Sequence, residues 1–382
     1  MSRFTNPLQP YRSTEWSIWS CFINYDRLFG LIKHLIYYLD KCRWVDIYID
    51  MNSVMSQIFI RNYKIFDYNG ITSALINMAI HYKEFFKDRF NIEARVFIVY
   101  SNNFPSAPRE LIPEYNHRNY LTYINNGELV ALINHNRELL DLLCKYLDGI
   151  YFIQDENQET AVIIKEIIAD QARFKHNALH QRSDNFSLYP NIIITKDLYD
   201  YQLVAIDSYT FILRPRKVDG EDKSWCVSKT NLLKAIKKEL GANVSNVPDN
   251  YGIINTGLLS VFFSIAGLKS RNIKSIHTYN KTVEILTTAI TNNSILNEYN
   301  SDPEYCIEAL SELSAKIAEN KTNIINRFNA IDLVKNHGLY KITPNAMNAK
   351  SSIIDLISPM SIREINEQFF SMNPIDINKL YY

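Results

Sequence analysis

The chain has 382 residues, 47% hydrophobic and 21% charged, and its 41 basic residues balance 41 acidic ones to a formal charge of zero. That length can bury one large core or two modest ones. The charge balance excludes a protein that grips polyanions by bulk charge, so any nucleic-acid surface has to be a local patch.

Residues 1–13 read as an arm. Ser13 and Thr14 are candidate N-caps for a helix running to about Asp40, with Trp16, Trp19, Phe22, Leu31 and Leu35 on one apolar face. VDIYID (45–50) alternates and is β-branched, which predicts a strand. A helix over 70–90 and an apolar strand, ARVFIVY (94–100), follow. Residues 104–120 hold three prolines and read as irregular. A helix is expected over 126–147, a strand over 150–153, a helix over 159–173 and a buried strand at NIIIT (191–195). Residues 202–213 alternate in a β-like way, and 214–223 reads as a solvated hairpin with Asp219-Gly220 at its tip. From about 228 the pattern is helical, with breaks near 241–256, 296–303 and 337–345. Strands separated by helices predict an α/β fold with a mostly parallel central sheet flanked by helices. Three regions are expected: 1–44, an arm and aromatic helix; 45–227, the α/β core; and 228–382, a helical C-terminal region.

Five scattered cysteines (Cys21, Cys42, Cys144, Cys226 and Cys306) form no CxxC pair, which argues against a zinc or disulfide framework and fits a reducing intracellular setting. The eight histidines show no HExxH spacing; His176 and His180 sit four apart with no carboxylates to complete a metal site. No apolar run has the length of a bilayer span, so no membrane partner is expected.

In an open parallel sheet, ligands bind beyond the carboxyl ends of the strands. Asp50 ends the first strand, Asp197 follows NIIIT, and Glu159 opens a helix between them. Converging there, the three could hold a hard, oxygen-preferring ion such as Mg²⁺ or Mn²⁺. Helix capping by Asp50 and Glu159 is the competing explanation.

Four segments, in order, resemble the flap endonuclease and 5′→3′ exonuclease (PIN-like) family. IDMNSVMSQIFI (49–60) resembles the family's opening Asp strand and loop, and PRELIPEYNHRN (108–119) its Pro-Glu-Tyr-Lys segment. ITKDLYDYQLV (194–204) resembles its Thr-Gly-Asp strand and turn, and GLKSRNIKSIHTYNKTVEIL (267–286) its helix-hairpin-helix. The resemblance implies a PIN/FEN-like core and a degenerate helix-hairpin-helix near 257–290.

It also implies lost ligands. The family's Asp after the second strand is replaced by Tyr100 and Ser101, its Glu-Ala-Asp-Asp by Glu159, Thr160, Ala161 and Val162, and a further Asp by Tyr199, with Asp200 one position away. Its two hairpin aspartates become Leu268 and Arg271. Asp50, Glu159 and Asp197 remain as a vestigial catalytic trio able to hold at most one ion. Two-metal hydrolysis needs several anionic oxygens per ion, so no cofactor is expected, with Mg²⁺ or Mn²⁺ required only for residual activity.

Expected nucleic-acid contacts are Lys269, Arg271, Lys274 and Lys281 in the hairpin, and Arg109 and Arg118 in the segment where relatives thread single strands. The expectation is a catalytically degenerate nuclease-fold protein. It would bind nucleic acid, DNA ahead of RNA, and a protein partner at the N-terminal helix, in phage or viral DNA metabolism. Its place would be the host cytoplasm or the virion. The alternatives are an active Mg²⁺-dependent 5′ nuclease using the reduced carboxylate set, and a virion or assembly scaffold. Abundant Asn, Ile, Tyr and Lys, with AT-rich codons, fit a phage or viral source.

Overall fold

The computed structural model describes residues 44–54, 70–101, 106–115, 127–155, 158–169, 190–206, 209–218, 221–228, 232, 257–292 and 303–333. The expected N-terminal helix and its partner surface, Arg118, the His176/His180 pair and the last helical stretch lie outside those residues.

Alternation of β-branched and aromatic residues gives β1 (Trp44–Asp50), and the run to its right in sequence gives α1 (Gly70–Phe90) and β2 (Glu93–Ser101). Then come α2 (Ser106–Leu111), α3 (Gly127–Leu143), β3 (Ile150–Asp155), α4 (described over 160–169) and β4 (Asn191–Ile194). A 3-10 turn (Leu198–Ala205) leads into β5 (Thr210–Val218) and β6 (Glu221–Val227). The helical region holds α5 (Gly257–Ala266), α6 (Tyr279–Asn292), α7 (Pro303–Ser311), α8 (Ala315–Glu319) and α9 (Lys321–Ile331).

The six strands form one sheet in the order β3-β2-β1-β4-β5-β6. All neighbours pair in parallel except β5 and β6, which form an antiparallel hairpin with Val218 opposite Glu221. The chain is thus α/β, with a mixed, mostly parallel sheet flanked by helices and a helical C-terminal region. Successive residues of each strand face opposite sides. Ile47, Ile49, Val96, Ile98, Ile192 and Ile194 pack with α1 and α3 in one core. Tyr48, Phe97, Val99, Ile193 and Ile212 pack with α4 and the C-terminal helices in the other. Burial on both faces explains why the strands read as near-continuous apolar runs.

Two local expectations are corrected. The proline-rich stretch contains α2, because Pro108 falls in its first turn, where the missing amide has no helical acceptor to satisfy. Residues 202–213 are not one strand. Asp197 Oδ1 accepts from the Tyr199 amide at 3.0 Å and starts the 3-10 turn, and the strand begins only at Thr210. The turn is buried nearly all round, so its apolar pattern has no period that separates helix from strand.

A buried polar node joins sheet and helical region. The Gln202 side-chain amide donates to the Ile331 carbonyl at 3.1 Å, and its Oε1 accepts from the Leu333 amide at 3.1 Å. Ser260 Oγ donates to Gln202 Oε1 at 2.8 Å and lies 3.0 Å from Asp332 Oδ1.

Candidate functional site

The strand order reverses between β1 and β4. β2 and β3 lie on one side of β1, and β4 and β5 extend on the other, so the carboxyl ends of β1 and β4 flank the switch-point crevice. Asp50 is the last residue of β1, and Thr195, Lys196 and Asp197 leave β4 beside it.

Asp50 is buried and caps the helical turn after β1, its Oδ1 accepting from the Ser53 amide at 3.1 Å. Its Oδ2 lies 3.4 Å from Thr195 Oγ1. Thr195 also donates to Asp200 Oδ2, and its oxygen accepts from the Asp197 amide at 3.0 Å. Ser53 Oγ accepts from the Lys196 amide at 2.7 Å and ties the two strand ends together.

Glu159 sits immediately before α4, where its carbonyl accepts from the Val162 and Ile163 amides. Its side chain turns inward instead of capping. Oε1 accepts from the Tyr115 hydroxyl at 3.0 Å and lies 3.1 Å from Arg271 Nε. Arg271 also donates from Nη1 to Asp197 Oδ2 at 2.6 Å, and its guanidinium lies 4.3 Å from the centre of the Tyr199 ring. Ser270 Oγ donates to the other Asp197 oxygen at 2.9 Å. Asn272 Nδ2 donates to the Glu114 carbonyl at 2.9 Å, beside Tyr115.

The structure therefore brings Asp50, Glu159 and Asp197 to one sheet edge and adds two residues. Asp200, 1% exposed, is a fourth carboxylate, turned inward by the 3-10 turn. Arg271, expected as a nucleic-acid contact, is 7% exposed and sits in the cluster with its charge directed at Glu159 and Asp197. Lys269 and Lys274 are exposed on the 267–278 loop, and Lys281 is exposed and paired with Glu284 at 2.6 Å. Arg109 is half-buried in the last turn of α2.

The titration behaviour follows from this packing. Burial lifts Asp50 from 3.8 to about 6, opposed by the Ser53 amide and reinforced by the Asp197 charge. Burial also raises Glu159, against the pull of Arg271. Asp200 is raised well above the carboxylate range by burial and by the charges of Asp50 and Asp197. Burial alone would raise Asp197 too, but Arg271 and the Tyr199 amide outweigh it and hold that carboxyl low. Arg271 and Asp197 are the firmly charged pair of the site.

A divalent pair fits these residues poorly. Among the described residues no group of three or more His, Cys, Asp or Glu is arranged to hold a metal ion. The guanidinium stands between Glu159 and Asp197, where it supplies positive charge and repels any further cation.

Two clefts open here. One of about 290 Å³ is lined by Asp50, Asn52, Ser53, Lys196, Asp197, Arg214, Lys269 and Arg271, among others. A neighbour of about 440 Å³ is lined by the 267–278 loop and shares Lys269 and Tyr279 with the first. Lys196 and Arg214 were missed by sequence reasoning. Arg214 falls in a charge run that reads as a solvated hairpin, yet β5 carries it to the cleft, with its guanidinium 5.7 Å from the Tyr201 ring.

The loop joining α5 to α6 is built by backbone geometry. Gly267 (φ +83°) and Asn272 (φ 58°) both adopt left-handed conformations, and Leu268 and Ile273 exchange amide–carbonyl bonds at 3.0 and 3.1 Å. Arg327 Nη1 donates to the Lys274 carbonyl at 2.8 Å and fixes the far side of the loop to α9. The Lys281 amide donates to Thr278 Oγ1 at 3.4 Å, which caps α6.

No protein-family model matches the chain, and no curated protein does. Among solved structures, the chain is similar to bacteriophage T5 5′-exonuclease with bound zinc at 10% identity and a TM-score of 0.46, over 82% of this chain and 96% of that one. It is similar to the T5 D15 flap endonuclease in a pseudo-enzyme–product complex with DNA and metal ions at 11% identity and 0.45, over 81% and 99%. It is also similar to human GEN1 in complex with Holliday junction DNA, at 13% identity and 0.47, over 88% and 71%. No described helix is long and apolar enough to cross a membrane.

Proposed function

We propose that this chain is a catalytically degenerate nuclease-fold protein that holds nucleic acid, DNA in preference to RNA, without cleaving it efficiently. One observation carries the reading: the buried Arg271 guanidinium lies within ion-pair reach of both Glu159 and Asp197. Cleavage by paired metal ions requires carboxylates left open to those ions. Here the same carboxylates are taken up by a side chain of the protein, while Lys196, Arg214 and Lys269 line the cleft above. Such a site is charged to receive a phosphate oxygen. The four segments that resemble the flap endonuclease family, in the family's order, support the reading, and the 267–278 loop between α5 and α6 lies within the segment whose sequence resembles that family's helix-hairpin-helix. A phage or viral setting, and a protein partner at the N-terminal helix, belong to the same proposal and rest on composition and on the aromatic face read for that helix in the sequence.

The test uses the purified full chain with flap, gapped and single-stranded DNA and Mg²⁺ or Mn²⁺, with Asp50→Ala as the contamination control. Salt-dependent binding with no cleavage is the expected result. Cleavage abolished by Asp50→Ala would restore the active-nuclease alternative, and absence of any binding would leave the protein scaffold.

A further inference from the structure

We propose that Arg271 is a built-in replacement for a divalent cation, and that removing it leaves Glu159, Asp197, Asp50 and Asp200 as a cluster that takes up a hard metal ion. The inference shares the Arg271 geometry with the functional reading, but its test is metal binding and gives an answer whether or not nucleic acid is held.

Three observations converge. The guanidinium bridges Glu159 and Asp197, carboxylates that stand before α4 and after β4. Two carboxylate oxygens of the cluster, Glu159 Oε2 and Asp200 Oδ1, are buried with no hydrogen-bond donor, on residues each only 1% exposed. A buried carboxylate oxygen without a donor is costly, and either a proton or a cation relieves it. Finally, Arg271 lines the cleft of about 290 Å³, so truncating it opens the cluster to water rather than to a dry void. Hard divalent ions bind through carboxylate oxygens and retain several waters, and the carboxylates freed by Arg271 beside a wet cleft supply both.

The present arrangement also explains why the chain as it stands should refuse such an ion. Arg271 holds Glu159 and Asp197 across the width of a guanidinium, and Thr195 engages Asp50 and Asp200 from the other side. An incoming ion would have to displace a charge-assisted hydrogen bond of 2.6 Å and settle beside a positive charge. The Tyr199 ring beneath the guanidinium adds a further hold.

The experiment is a Mn²⁺ titration followed by electron paramagnetic resonance, with melting temperature as the second readout, on the wild-type chain and on Arg271→Ala. The wild type should leave the aqueous Mn²⁺ signal undiminished and its melting temperature unmoved. Arg271→Ala should bind Mn²⁺ stoichiometrically, with a saturable rise of a few degrees in melting temperature, and adding Asp197→Asn should abolish both effects. Should Arg271→Ala not hold its fold without metal, Arg271→Gln is read the same way, since its neutral amide still donates to one carboxylate. Folded variants that take up no Mn²⁺, or variants that stay unfolded with Mn²⁺ as without it, would overturn the proposal. So would Mn²⁺ binding by the wild type that Asp50→Asn removes.

Discussion

The Arg271 guanidinium donates to Asp197 at 2.6 Å across 74 residues of chain, joining the turn after α5 to the end of β4. Both partners are largely buried, so each depends on the other for neutralisation. Replacing Arg271 with Met leaves Asp197 and Glu159 without their counter-charge at nearly unchanged volume. The expected loss is about 3 kcal/mol or more of folding stability at neutral pH, read from denaturant midpoints. A Lys at 271 should recover only part of it, because an ammonium cannot fork between two carboxylates. A Met variant as stable as wild type would show the pair to be dispensable.

Asp50 provides a pH dependence. Its carboxyl sits at about 6 in the fold against 3.8 for the ordinary group. The folded state binds that proton more tightly than the unfolded chain does. The associated stability is therefore complete below pH 3.8 and is lost as pH rises through about 6. Asp50→Asn keeps an acceptor for the Ser53 amide but never ionises. It should exceed wild type by on the order of 3 kcal/mol above that range and lose the advantage in acid. Equal differences at both ends, measured by urea unfolding, would remove Asp50 as the source.

Gly267 has φ +83°, and a Cβ built there would lie 2.7 Å from both the Ile273 carbonyl oxygen and the Ser275 amide nitrogen. Both are backbone atoms and cannot swing aside. Gly267→Ala should cost about 2 kcal/mol or more, with hydrogen exchange rising first at the Leu268 and Ile273 amides. Unchanged protection at those two amides would contradict the hairpin geometry.

Lys269 lines both clefts, whereas Lys281 is engaged with Glu284 on α6. If DNA lies in the clefts, Lys269→Ala should lower the slope of log affinity against log salt by about one counterion. Lys281→Ala should change it less. Fluorescence anisotropy across a salt series distinguishes the two, and identical slopes for both variants would place the DNA elsewhere.

Much of this architecture could be read from local pattern. VDIYID and NIIIT announce strands because burial on both faces demands β-branched residues, and Asp50 and Asp197 follow from where those strands stop. The helices expected over 70–90 and 126–147 were legible because their apolar spacing is long and regular, although the second ends at Leu143. Asp200 was harder. Its inward turn depends on the cap formed by Asp197, a hydrogen bond whose local chemistry competes with an equally apolar strand pattern. The pairing of Arg271 with Asp197 and Glu159 had no sequence signal, because it exists only once distant segments fold onto one edge. Arg214 was hidden by its neighbours: Arg216, Lys217, Asp219, Glu221 and Asp222 make the stretch look wholly solvated, although the strand period sends alternate residues to opposite faces.

The Gln202 amide carries a further consequence. It bonds at once to the close of α9 and, through Ser260, to α5, while its own backbone belongs to the turn that follows β4. Loosening the helices exposes that amide's unmet partners inside the sheet layer, and loosening the sheet strands them inside the helices. The two halves should accordingly melt together in a single calorimetric peak, and a polypeptide nicked between them should stay associated until that peak is reached.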